Sequence, residues 1–197
     1  LDIKWELVFL KPMKTTLDPQ LRWFQIRILH RLIPTNRFLY LRKLVNSLVC
    51  TFCGTEEETA IHMFWECIYA QRLWAGILSW LQSECTHCDN LSFSVSFIIF
   101  GTKPHCRTDK VLDLLILLAK LHIFKNKLQN NIPSIVSYKN VVKHRYNIER
   151  YSNMVAGTLN RFISDWLPYL PLLNSVSLYS QHPSVCVCVC VCLCVCV

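Results

Sequence analysis

The sequence predicts a mainly α, small multi-helix domain organised around a structural zinc site of three cysteines and one histidine, followed by a disordered or artefactual C-terminal tail. Three observations predict it. Cys50, Cys53, His62 and Cys67 stand in the spacing C-x2-C-x8-H-x4-C; apolar residues recur at three- and four-residue intervals through most other segments; and residues 185–197 alternate Val and Cys.

Residues 1–16 place Trp5, Leu7 and Phe9 in alternation, the pattern of a short strand and a remnant of a preceding region. Asp18 and Pro19 then form a helix start, with the acid as N-cap and the proline at the first helical position. Leu21, Phe24, Ile28 and Leu32 make one apolar stripe, widened by Trp23, Ile26 and Ile33, until Pro34 stops the helix. Asn36 is the expected cap of a second short helix through Leu44.

A structural zinc takes four N/S donors in a tetrahedron. Cys50 and Cys53 can aim inward from one tight turn, and Gly54 supplies the backbone freedom that turn needs. Thr55 and Glu58 read as a capping box, so a helix is expected near Glu56 that carries His62, with Glu56, Glu57 and Glu58 as first-turn acids. His62 and Cys67 are five apart, about 140° around an ideal helix, so the helix must end or distort before Cys67. Four strong ligands leave no open position for water, which makes the site structural rather than catalytic. The alternative, three buried cysteines beside a core histidine, needs four ligand types to coincide at ligand spacing in a reduced protein.

Tyr69, Leu73, Ile77, Trp80 and Leu81 mark an amphipathic helix. Trp65, Trp74 and Trp80 cluster near the metal segment; at helical spacing they belong to a core, with base stacking as the alternative. Cys85, His87 and Cys88, with His105 or Cys106 as remote partners, raise a second metal reading, but no second pair follows at a defined distance, so a loop with free thiols is favoured. Leu91 to Phe100 is either a strand or the start of a helix. Asp109 caps a long helix through about Gln129, Ser134 opens another to about Tyr151, and a last helix runs from about Asn153 to Leu167. The domain thus occupies residues 17–167, residues 168–184 are a linker, and residues 185–197 are a low-complexity tail. An uninterrupted GT repeat read in triplets encodes Val then Cys, so the tail reads as translated dinucleotide repeat.

The ordered series Leu21 to Asn36 (LRWFQIRILHRLIPTN), Leu48 to Thr59 (LVCTFCGTEEET), His62 to Cys67 (HMFWEC), Ile99 to Gly101 and Leu114 to Lys120 resembles the zinc-binding domain in the C-terminal region of LINE-type (non-LTR) retrotransposon reverse transcriptases. The resemblance implies a nucleic-acid-associated accessory region of a polymerase, with one Zn2+ as its cofactor. It further implies an intracellular protein, cytoplasmic or nuclear.

The net charge of +8 is unevenly placed. Residues 11–50 hold eight basic side chains against Asp18 alone, and residues 120–150 hold seven against Glu149 alone. Two basic blocks around an acidic middle are expected of a polyanion binder. The residues expected to meet RNA or single-stranded nucleic acid are Arg22, Arg27, Arg31, Arg37, Arg42, Lys43, Lys139, Lys143, Arg145 and Arg150. Among them Arg27 and Arg31 are one helical turn apart, and Lys139, Lys143 and Arg150 share a face with Tyr146.

No Asp-Asp pair, phosphate-binding glycine loop, nucleophile elbow or His-Glu-x-x-His helix is present, so the chain is not expected to be an enzyme. Its length of 197 residues suits one domain with tails, and an opening at Leu1 suits a fragment of something longer. No signal peptide or membrane span is expected. Two further readings stand beside nucleic-acid binding: a scaffold packing on an absent polymerase domain, and a pseudogene product without function.

Overall fold

The computed structural model describes residues 5–101 and 109–174. The Val/Cys tail, His105 and Cys106 lie outside these. Among the described residues the chain is helical, and its extended pairing is a single antiparallel bridge between Val49 and Glu57.

The expected strand near the start is a helix, α1 (Trp5–Thr15). Trp5 meets Phe9 one turn on, at 6.3 Å between rings, and Val8 and Pro12, also one turn apart, are buried. The helix lies against α2 and α6, and that tertiary contact decides between a period of two and one of 3.6.

Asp18 caps α2 (Pro19–Leu29), its Oδ1 accepting from the Gln20 N–H at 2.8 Å and the Leu21 N–H at 3.3 Å. The helix ends before the expected Ile33. Arg31 turns to φ 57°, the Leu32 N–H bonds back to the Arg27 carbonyl at 2.8 Å, and the Arg31 N–H to that of Ile28 at 3.0 Å. This is a Schellman closure. Leu32 therefore leaves the apolar stripe, and Trp23 points outward; Leu21, Phe24, Ile28 and Ile33 are buried.

Thr35, not Asn36, caps α3 (Asn36–Tyr40), which stops short of Leu44 as Lys43 takes φ 58°. After the metal segment come α4 (Ile68–Glu84) and α5 (Val95–Phe100), the latter capped by Ser94. Next are α6 (Lys110–Leu128), capped by Asp109, and α7 (Ile135–Val155), capped by Ser134. Gly157 at φ 68° breaks the chain, so the last long helix starts later than Asn153, as α8 (Leu159–Trp166). Tyr169 and Leu172, in the expected linker, are buried, and α9 (Pro171–Asn174) packs on α4.

Helix α6 is the axle of the fold, with every residue from Val111 to Lys120 buried. Aromatic contacts bind the metal half to α6 and to α7. Phe24 touches Phe64 at 6.3 Å and Phe124 at 5.6 Å, and Trp80 meets Tyr138 edge-on at 6.2 Å. Trp74 and Trp80 are core residues, which removes base stacking as their role. Among the described residues no helix is long and apolar enough to cross a membrane.

Candidate metal centre and basic surfaces

The first pair of thiols sits on a knuckle. The Gly54 N–H bonds to the Cys50 carbonyl at 2.9 Å, and Gly54 takes φ 68°, a value that a side chain makes costly. The chain then doubles back: the Cys50 N–H reaches the Glu56 carbonyl at 2.7 Å and the Glu58 N–H the Leu48 carbonyl at 2.8 Å. No helix begins at Glu56. The expected capping box fails because Glu58 is fully buried, accepting from the Asn36 N–H at 2.8 Å and the Thr51 N–H at 2.9 Å, with Lys127 Nζ at 3.1 Å. The side-chain cap belongs to Thr59, whose Oγ1 accepts from the His62 N–H at 2.9 Å.

The second pair sits on a distorted turn. His62–Glu66 is a π-turn, closed by the Cys67 N–H on the His62 carbonyl at 2.8 Å, and Cys67 itself is extended at ψ 132°. This is the distortion that five-residue spacing requires, since an ordinary turn would point Cys67 away. Two side chains of α4 stabilise the widened turn: Trp74 Nε1 donates to the Phe64 carbonyl at 2.7 Å and Gln71 Nε2 to that of Trp65 at 2.5 Å.

These two elements bring Cys50, Cys53, His62 and Cys67 together, their donor atoms all within 4.8 Å of one another. Cys50 Sγ lies 3.9 Å from Cys67 Sγ, and Cys53 Sγ 3.5 Å from His62 Nε2. A tetrahedron with Zn–S of about 2.3 Å has sulfur–sulfur edges of about 3.8 Å, so the donor set fits one structural zinc ion. Cys50, Cys67 and His62 are buried and Cys53 is at the rim.

Burial, with the neighbouring Cys67, pushes the Cys50 thiol up to about 12 against the N–H groups of Cys53 and Phe52. Burial also works to raise Cys53. The Thr55 hydroxyl, the N–H groups of Glu56 and Thr55, and His62 outweigh it and bring that thiol down to about 6. A zinc ion held by these four residues would take both as thiolates and would tie the hairpin to the π-turn.

The basic residues divide by what they touch. Arg22 caps α1, with Nε on the Thr16 carbonyl at 2.7 Å and Nη2 on that of Met13 at 3.3 Å. Arg145 pairs with Asp18 at 2.6 Å, and Lys139 lies 5.0 Å over the Trp80 ring. Arg37 pairs with Glu57 on the surface at 2.5 Å, and Arg42 stacks 3.5 Å from the centroid of Phe38. Arg27, Arg31, Lys43 and Arg150 are exposed, and Lys143 is half-buried. Arg31 is past the helix end, so it does not continue the face of Arg27 as expected. The second basic block also loses Lys120 and Lys127 to the interior.

Cys85 and Cys88 are buried free thiols on a 3-10 turn, raised by burial to about 11 and about 12, and their neighbour His87 meets Tyr169 edge-on. Sequence reasoning missed Thr59 and Lys127, and the roles of Glu58 and Trp74 at the site. Thr59 stands three before His62, an N-cap interval that was legible. Lys127 is joined to Glu58 only by the fold.

Residues 3–74 match the family described as zinc-binding in reverse transcriptase. Over 150 residues the chain is 30% identical to an uncharacterized 149 kDa protein of transposon TX1 from Xenopus laevis. That alignment covers 71% of this chain and 11% of the relative, so the chain spans about a tenth of its length. Its four donors, gathered at one point, all lie within the segment of residues 3–74 that is similar to the family described as zinc-binding in reverse transcriptase.

Proposed function

We propose that this chain is a non-catalytic accessory module of a retrotransposon reverse transcriptase, folded around one zinc and binding RNA or single-stranded nucleic acid. Cys50, Cys53, His62 and Cys67 are its metal ligands. The exposed members of the basic set, Arg27, Arg31, Arg42 and Lys43 foremost, contact the nucleic acid. The observation that carries this reading is the stretch from Pro19 to Thr55, which holds six basic side chains and no acid. Apart from Arg37, which Glu57 neutralises, and Arg22, which caps α1, the basic side chains of this stretch are exposed and attract a polyanion. The retrotransposon setting supports an intracellular location, cytoplasmic or nuclear.

A second reading, packing on a polymerase domain, is favoured by apolar residues left in solvent near the same segment. Leu41 is 68% and Leu44 67% exposed. The deciding experiment is the affinity of the zinc-loaded chain for RNA across a salt series. With about six phosphates contacted, the log-log slope is expected near −4 to −5 on a single strand. Replacing Arg27 and Arg31 together with Ala weakens binding to all sequences alike and flattens the slope by about one to two. Binding no tighter than to a neutral polymer at low salt leaves the polymerase-docking reading in its place.

A further inference from the structure

Helix α2 buries Leu21, Phe24 and Ile28 against the core, and its opposite side carries an unexplained cost. Trp23 is 65% exposed. An indole is among the largest apolar surfaces a residue can leave in water, and burying it is favourable. Its surroundings are those of a ligand site for one kind of molecule. Arg27, also exposed, is one turn on, and side chains three or four apart are neighbours on a helix. Positions four apart lie on one face of a helix, so Arg27 and Trp23 stand on the same exposed side of α2. No acid in this 19–55 stretch competes for that guanidinium.

A second platform follows on α3. The Arg42 guanidinium lies 3.5 Å from the centroid of Phe38 and donates from Nη1 to the Phe38 carbonyl at 3.1 Å. The ring fixes one face of the guanidinium plane, and Arg42 is exposed, so the other face is turned to solvent. Indole faces and guanidinium planes are the surfaces on which unpaired bases stack. A duplex keeps its bases stacked on one another and cannot use them.

We propose that Trp23 is a base-stacking residue of a single-strand site, with Arg27 holding an adjoining phosphate and the Arg42–Phe38 stack serving a further base. The proposal rests on the nucleic-acid reading above and adds to it a preference for unpaired strands. It makes Trp23 a residue for affinity without sequence specificity, since every base has a face to offer.

The test uses the full zinc-loaded chain, a labelled single-stranded oligouridylate, and a blunt RNA duplex of equal length. Trp23→Ala is expected to weaken single-strand binding about tenfold, to leave duplex binding unchanged, and to leave the salt slope unchanged. Trp23→Phe is expected to recover most of the loss. Arg27→Ala is expected to flatten the slope by about one. Zinc content and thermal midpoint of Trp23→Ala should match the parent, because the side chain it removes is in solvent. A parent chain that binds neither probe overturns the nucleic-acid reading itself. A parent that binds, with Trp23→Ala binding single strands equally well, overturns this inference alone. Equal losses on both probes also overturn it, because stacking cannot act on the duplex. Loss of binding to a purified polymerase domain, with affinity for both probes intact, overturns it in favour of a protein partner.

Discussion

Lys127 Nζ lies 3.1 Å from Glu58 Oε1, in the interior between the metal hairpin and the end of α6. Their side chains are 6% and 0% exposed, and Lys127 also donates to the Pro34 carbonyl at 2.9 Å. Glu58 in turn accepts from the backbone of Asn36 and Thr51. One carboxylate thus joins α3, the Cys50–Cys53 turn and the central helix.

Removing one partner strands the other charge without water. Lys127→Met is expected to destabilise the zinc-loaded protein by about 3–5 kcal/mol, read from urea unfolding. Glu58→Gln, which keeps one acceptor oxygen but sets an NH2 against the other N–H, is expected to cost less than Glu58→Ala, which keeps none. A change under about 1 kcal/mol for Lys127→Met would mean that water reaches the pair.

Metal and fold are expected to be linked through the four donors. The chain should carry one zinc, and Cys50→Ser or His62→Ala should abolish that stoichiometry. Chelation should lower helicity, because the hairpin and the π-turn then lose their common anchor. Zinc affinity should fall as pH is lowered, since protons compete for thiolate and imidazole. Full helicity and an unchanged melting point after chelation would remove the structural role.

Lys120 predicts a pH dependence. It is buried on α6, donates to Gln25 Oε1 at 2.5 Å, and faces Asp113 and Lys11 across the same cluster. Desolvation drives its amine down to about 7, and Lys11 adds to this while Asp113 opposes it. Between about 7 and the ordinary 10.5 the unfolded chain therefore binds a proton that the folded chain does not. Stability should rise with pH through that window, and the penalty should be complete below it. Comparing parent and Lys120→Met by denaturation at each pH isolates the effect, because the zinc ligands cancel. The stability gap between them should shift steadily in the parent's favour as pH rises; parallel profiles would show that Lys120 stays charged.

Two glycines at positive φ should respond unequally to alanine. At Gly101, φ 83°, a Cβ would stand 2.7 Å from Asp113 Oδ1 and 2.9 Å from Lys11 Cδ. At Gly157, φ 68°, it would meet nothing within 4 Å. Gly157→Ala should cost only the left-handed strain, about 1–2 kcal/mol, and Gly101→Ala distinctly more, measured as shifts in the unfolding midpoint.

What the sequence disclosed was local chemistry. The four donors, the caps at Asp18, Asp109 and Ser134, and the apolar face of α4 depend on neighbours within a turn or two, and all are where expected. What it concealed depended on distant partners. Glu58 follows Thr55 at capping distance, but Lys127, far along the chain, claims it for the interior. Trp5, Leu7 and Phe9 alternate as in a strand, yet α2 and α6 offer a surface that suits a helix. The basic blocks were counted as surface charge, and Arg22, Lys120, Lys127 and Arg145 proved to be bound within the protein. Hydrophobicity alone places Trp23 inward, because it cannot tell the edge of a buried stripe from a solvent-facing ring.

The π-turn between His62 and Cys67 gives the protein an optical reporter. Its Phe64 carbonyl accepts the Trp74 indole N–H, and Trp74 is 2% exposed. If that turn relaxed to an ordinary helix, each residue beyond it would rotate by about 100° per position of slippage, and the indole would lose its acceptor. The emission of a buried indole depends on that hydrogen bond and on its distance from water. Loading and stripping of the metal should thus be visible in tryptophan fluorescence without any label. A Trp74→Phe variant would darken that signal while leaving the four donors in the chain.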